Sequence, residues 1–239
     1  MVYCVFLSHQ TALNPWHEPN ESCFFSVTFE DAHYCDTDYA TYGLTLPGSL
    51  KRAVPKRRAE FLAGRYCARS ALITLGYSPV TIGIGDHRQP LWPNGITGSI
   101  THKDDIAAAF LCPQSQYVGV GIDIEKLLQP TLLPSIGDQV LTDSERLLTA
   151  HACTHQQFVT LIFSVKEAFF KAAFSSVGHY FNFDAVSVIE IDHREHRLQL
   201  RLNQTLCNTL NIHDCVTADF FFSSNNTVIT RVLLPHTQR

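Results

Sequence analysis

A chain of 239 residues with 45% hydrophobic and 17% charged content can bury one large core or two small ones, which excludes a disordered chain. Its formal net charge of -4 argues against a general nucleic-acid binder, so no nucleic acid is expected as a partner. No run approaches the ~18 apolar residues a spanning helix needs, so no membrane span is expected.

Residues 1–10 are apolar but lack a basic leader and a cleavage-like end, and read as a first strand instead of a signal peptide. The eight cysteines are scattered with no C-x-x-C, which excludes zinc and redox motifs; they read as reduced, mostly buried thiols of a cytoplasmic protein. Turn-rich stretches follow at 14–20 and 36–48. Seven of the eighteen Lys and Arg residues then fall between Lys51 and Arg69. Pro55 suits a helix start, and the helix is expected over about 56–75 with Gly76 as its stop. At about 100° per residue Arg58, Arg65 and Arg69 lie near one line, with Arg57 beside it. A solvated basic face would look the same. On an acidic protein, though, such a patch suits a compact anion or an acidic partner.

A short strand is expected at 80–84, a Gly- and Pro-rich loop at 85–98, and a hairpin from 99–101 and 106–111. Gly85, Asp86, His87 and Arg88, with Thr101 and His102, are candidate phosphate contacts, although a lone His after a strand is commonly structural. Residues 113–116 form a plausible joint, which divides the chain into 1–113 and 114–239.

The run from Val118 to Glu125 alternates with period two. Val118, Val120, Ile122 and Ile124 share one face; Gly119, Gly121, Asp123 and Glu125 share the other. That second face offers two carboxylates for a hard cation and two glycines that leave room for something bulky against the backbone. A Pro-rich loop is expected at 129–137 and a short helix at 143–150. Thr154 to Gln157 has the form of a capping box opening a helix over about 155–174. His151 and His155 have helical ligand spacing but no accompanying motif.

On that second helix Phe158, Leu161, Ile162, Val165, Phe169 and Ala172 form a core stripe. The opposite face carries Phe163, Phe170 and Phe174 around Glu167 and Lys171. An exposed Glu–Lys pair would be ordinary, but a carboxylate walled by phenylalanines needs a partner, a metal or a proton. Asp123, Glu125 and Glu167 together suit Mg²⁺, with Lys171 placed to bind a nearby phosphate. Strands are expected at 186–191, 198–202, 216–222 and 227–234. The fold class is α+β: two similar α+β halves, each one long helix packed on an antiparallel sheet.

The segments KRRAEFLAGRYCAR from Lys56, GDHRQPLWPNGITGSITH from Gly85, VGIDIEK from Val120 and FSVKEAFFKA from Phe163 resemble 4′-phosphopantetheinyl transferases of the enterobactin synthetase component D type. The resemblance runs over about 55–183. It implies a pseudo-twofold pair of α+β halves and transfer of 4′-phosphopantetheine from coenzyme A to a serine of an apo carrier protein, releasing 3′,5′-ADP. Siderophore or other non-ribosomal peptide synthesis is the implied setting, and a cytoplasmic monomer the expected form. By this resemblance Asp123, Glu125 and Glu167 hold Mg²⁺, while Arg57, Arg65, Gly85, Asp86, His87, Arg88, Thr101, His102 and Lys171 hold coenzyme A. Asp123 and Glu167 are the catalytic candidates, with Glu167 as base. Thr101 stands where many relatives have Ser, and Phe163 where many have Trp. Lys166 and Phe181 match positions of unassigned role. A non-catalytic coenzyme A-binding adaptor, or a metal-dependent phosphohydrolase acting on coenzyme A, would use much of the same machinery.

Overall fold

The computed structural model describes residues 6–8, 15–16, 21–148 and 153–236. Most of the expected strand at 1–10, most of the turn at 14–20, the end of the helix expected at 143–150, and His151 lie outside the described residues. The chain divides into two compact units, Met1–Pro113 and Gln114–Arg239. Mixed helices and antiparallel sheets make it an α+β protein.

The N-terminal unit contains β1 (Leu7–Ser8), β2 (Cys23–Phe29), α1 (Asp38–Thr41), α2 (Pro55–Thr74), β3 (Gly83–Ile84), β4 (Pro90–Leu91), β5 (Ile96–Lys103) and β6 (Ile106–Pro113). Four strands form an antiparallel sheet in the order β1-β2-β6-β5. Pro55 opens α2, where its missing N–H costs nothing. The chain leaves the helix through Gly76 at φ 84°. The helix buries Leu62, Ala63, Cys67, Ala68, Ala71 and Leu72, and Ala107, Ala109 and Leu111 of β6 belong to the same core. These small residues let helix and sheet approach closely. Each large side chain in such a core contributes about 1.5–3 kcal/mol of burial.

Three expectations change here. The strand at 80–84 is reduced to β3, since Val80 and Thr81 are exposed. The loop at 85–98 contains β4, which returns to pair with β3. The apolar β2, missed in the sequence, is a central strand between β1 and β6.

The C-terminal unit contains β7 (Tyr117–Lys126), α3 (Leu133–Val140), α4 (Asp143–Arg146), α5 (His155–Val177), β8 (Val186–Asp192), β9 (Arg197–Leu202), β10 (Cys215–Phe222) and β11 (Thr227–Pro235). The sheet runs β7-β11-β10-β9-β8 and is antiparallel throughout. The Thr154 hydroxyl accepts the Gln157 amide at 3.2 Å, and Gln157 Oε1 accepts the Thr154 amide at 2.8 Å, so the capping box is formed. The helix ends at Gly178, whose φ of 75° only glycine adopts readily. All six residues of the expected stripe are buried. The segment expected as a loop at 129–137 instead enters α3, where Pro134 is tolerated in the first turn.

The reading of the β7 faces also changes. Gly119 and Gly121 do not leave an open floor for a ligand. A Cβ on Gly119 would overlap the carbonyl oxygen of Ala172, and one on Gly121 that of Ala168. The glycines admit the backbone of α5, and both faces of β7 are buried. Among the described residues no helix is long and apolar enough to cross a membrane. Of the seven described cysteines, all free, Cys23, Cys67 and Cys112 are buried but Cys35 and Cys215 are exposed, so the thiols are not mostly buried.

Candidate functional site

Two groups of candidate side chains emerge, one in each unit. In the N-terminal unit α2 lines a cavity of about 680 Å³ with Arg57, Glu60, Phe61, Gly64 and Arg65. The β3–β4 turn adds Gly85, Asp86 and Arg88, β5 adds His102, and the segment before α2 adds Ser49 and Arg52. Four arginines and a histidine against two carboxylates leave the lining net positive, which favours an anion over a cation.

The arginines are placed differently. Arg57 Nη1 lies 3.0 Å from His102 Nε2 and 3.4 Å from Glu60 Oε2. A guanidinium only donates, so Nε2 accepts and the imidazole carries its proton on Nδ1. Arg65 is only 6% exposed. It donates to the Ile82 carbonyl at 3.2 Å and stacks on Phe61 at 4.9 Å. Burial pulls its pKa down to about 10, with Tyr39 opposing that shift. Arg58, expected on the same line as Arg65, instead pairs with Asp36 at 2.6 Å. The useful stripe is therefore Arg57, Phe61 and Arg65, one turn apart.

Arg88 reaches the cavity from a left-handed conformation at φ 67°, set by a turn whose Arg88 amide donates to the Gly85 carbonyl at 2.8 Å. His87 is exposed and Thr101 buried; neither lines the cavity. Thr101 alternates with His102 along β5, so its side chain stands on the other face of the sheet. Arg52 and Ser49 were missed in the sequence. Arg52 belongs to the basic run, but no periodicity marks it, because it precedes the helix.

In the C-terminal unit β7 presents Asp123 and Glu125, 4% and 8% exposed. α5 presents Glu167 and Lys171. Lys171 Nζ donates to Asp123 Oδ1 at 2.7 Å and to the Ile122 carbonyl at 3.1 Å. The Ser164 hydroxyl donates to Asp123 Oδ2 at 2.9 Å and lies 2.8 Å from Thr230 Oγ1. Burial pushes the Glu167 carboxyl above its ordinary value; Lys171 opposes the shift and Asp123 reinforces it. The like-charge coupling places Glu167 and Asp123 in one electrostatic site.

Glu167 also lines a cavity of about 720 Å³ with Lys166, Phe170, Tyr180 and Phe181. Phe170 stacks on Tyr180 at 5.5 Å and packs on Phe181 at 5.0 Å. Phe163, expected beside Glu167, packs on Phe183 at the edge of the core instead. Lys166 is buried and donates to Glu145 Oε2 and the Val140 carbonyl, both at 2.8 Å. Glu145 was missed in the sequence; its only sign there was Thr142 three residues earlier, a capping-box spacing.

Comparison with known proteins decides the family. Residues 47–112 match the model of the 4′-phosphopantetheinyl transferase N-terminal domain, and residues 119–221 that of the 4′-phosphopantetheinyl transferase superfamily. The chain is 35% identical over 175 residues to 4′-phosphopantetheinyl transferase PptT of Mycobacterium tuberculosis, covering 70% of this chain and 75% of that protein. The chain belongs to the 4′-phosphopantetheinyl transferase superfamily.

Other relatives in this superfamily are 4′-phosphopantetheinyl transferase Npt of Nocardia iowensis, 36% identical, and enterobactin synthase component D of Escherichia coli, 37% identical. The matches cover 58% and 62% of this chain. They span 62% of the Nocardia protein and 68% of the E. coli protein. The N-terminal domain match at 47–112 includes the arginines of α2 and the β3–β4 turn. The match at 119–221 includes Asp123, Glu125, Glu167 and Lys171.

Among the described residues, no three or more His, Cys, Asp or Glu side chains stand ready as a metal cage. The donor set nevertheless fits a hard divalent cation. Its members are carboxylates, two of them on one strand face and a third coupled to Asp123. Mg²⁺ commonly takes only one or two carboxylates and completes its shell with water and phosphate oxygens.

Proposed function

We propose that the protein transfers the 4′-phosphopantetheinyl group from coenzyme A to a serine hydroxyl of an apo carrier protein and releases 3′,5′-ADP. The observation that carries this reading is the coupled Asp123–Lys171–Glu167 group, in which a buried acid of raised proton affinity sits beside a second carboxylate and an ammonium.

Arg57, Arg65, Arg88 and His102 hold coenzyme A phosphates in the N-terminal cavity. Asp123, Glu125 and Glu167 would hold Mg²⁺, which when bound supplies neutralisation of the diphosphate charge. The serine oxygen forms a bond to the β-phosphorus as the bond to the bridging oxygen breaks. The leaving 3′,5′-ADP takes that oxygen, and the serine proton passes to the Glu167 carboxylate. General-base assistance of this kind contributes about 10²- to 10⁴-fold. Lys171 keeps the Asp123 carboxylate oriented.

The name enterobactin synthase component D, borne by several relatives, supports siderophore synthesis as the setting. The test is incubation with Mg²⁺, coenzyme A and a panel of apo carrier proteins, read by intact mass. The reading requires one phosphopantetheinyl addition on at least one carrier, lost in Asp123→Asn. Cleavage of coenzyme A without any carrier would identify a hydrolase, and binding without turnover an adaptor.

A further inference from the structure

The N-terminal unit holds a second, smaller cavity of about 310 Å³, which shares Phe61, Arg65 and Ile84 with the larger one. Leu44, Pro47, Val80 and Ile82 make much of its remaining wall apolar, and no Asp or Glu lines it. Yet two guanidiniums do, Arg65 and Arg69, one turn apart on α2. Neither is ion-paired with a carboxylate among the described residues; Arg65, nearly out of water, contacts only the Ile82 carbonyl and the Phe61 ring. Arg65 is accounted for by the anion of the larger cavity. Arg69 is not. Its guanidinium lies over Gly43, where a Cβ would come within 3.2 Å of Nη2 and where φ is +68°, so a glycine makes its place. Arg69 is half-buried and no carboxylate faces it among the described residues, so an anion entering the cavity meets an uncompensated guanidinium.

We propose that this cavity binds a small aliphatic monocarboxylate, its tail against Leu44, Pro47, Val80 and Ile82 and its carboxylate on the Arg69 guanidinium beside Arg65. The planar fork of Arg matches a carboxylate in two parallel hydrogen bonds. The volume lies at the small end of ligand cavities, which run from about 300 Å³ upward, and this confines the ligand to a short chain.

Calorimetric titration of octanoate into the full chain, beside octanol and acetate, tests the site. Octanoate binds once per chain, and octanol, lacking the charge, and acetate, lacking the tail, each bind at least about 10-fold more weakly. Arg69→Met weakens octanoate by about 10-fold or more while thermal unfolding stays that of the wild type. Undetectable octanoate binding, octanol binding equally well, or an unchanged affinity in Arg69→Met overturns the proposal. The titration contains no coenzyme A or carrier protein, so its outcome is independent of the transfer reaction.

Discussion

Lys166 and Glu145 meet at 2.8 Å with 1% and 0% of their side chains exposed. Glu145 also accepts the Val188 amide at 2.7 Å and the Thr142 amide at 2.7 Å. One carboxylate thus ties α4, β8 and α5 together immediately beside Glu167. Burial lowers the proton affinity of Lys166 and Glu145 opposes that shift in part, so the pair depends on both members. Glu145→Ala leaves a buried ammonium unpaired and should cost about 3–5 kcal/mol. Lys166→Met combined with Glu145→Gln should cost clearly less than the sum of the two single changes. Urea unfolding of the four proteins measures this, and additive losses would show that the contact carries no coupling.

Gly121→Ala should prevent α5 from seating on β7, since the added carbon overlaps a main-chain oxygen that cannot rotate away. A loss of about 3 kcal/mol or an insoluble product is expected. Gly137→Ala is the control: it lies inside α3 with only an ordinary contact to Leu141 at 3.8 Å, and should stabilise by about 0.5–1 kcal/mol. Equal stabilities for the two variants would contradict the packing.

Glu167 has a raised proton affinity in the folded state relative to its ordinary value of 4.5. Between 4.5 and the raised value the folded chain binds more protons than the unfolded one. Stability from this group is therefore full below 4.5 and declines as pH rises through that window. Glu167→Gln removes the decline, so without divalent metal its stability relative to wild type should improve from pH 4 to pH 8. Denaturant midpoints across that range check it; parallel curves would mean that the carboxyl is not desolvated.

Arg57→Ala removes a cation of the larger cavity that is itself half in water, so the fold should survive. The apparent KM for coenzyme A should rise about 10-fold or more with kcat little changed, because a charge-assisted hydrogen bond contributes about 1.5–3 kcal/mol. A fall in kcat at unchanged KM would place Arg57 in the chemistry instead.

Much of this was legible before any coordinates. Thr154 and Gln157 announce α5 because a capping box is a local arrangement, decided within four residues. Its true end at Gly178 was passed over in favour of Phe174, although glycine was again the signal. The period-two pattern of 118–125 correctly gave a strand and put Asp123 and Glu125 on one face. It could not reveal that Gly119 and Gly121 serve a helix more than forty residues away, since close backbone approach to a ligand and to a helix leave the same trace. Arg58 and Arg65 differ for a similar reason. Their shared line on the helix is local, but Asp36 and the Ile82 carbonyl, which separate their roles, act through tertiary contact. Glu145 stayed hidden because a carboxylate in a short polar stretch reads as solvated until its lysine is found.

The joint between β7 and α5 is main chain against main chain, with no side chain interposed at Gly119 or Gly121. Nothing there can change rotamer to let the two elements slide. Amide protons of β7 that bond to β11 should accordingly exchange with solvent only when the whole C-terminal unit opens, while those of the exposed β3–β4 turn exchange far sooner. The acidic residues would then keep their spacing through every lesser fluctuation, and the moving parts of the cycle would have to lie elsewhere in the chain.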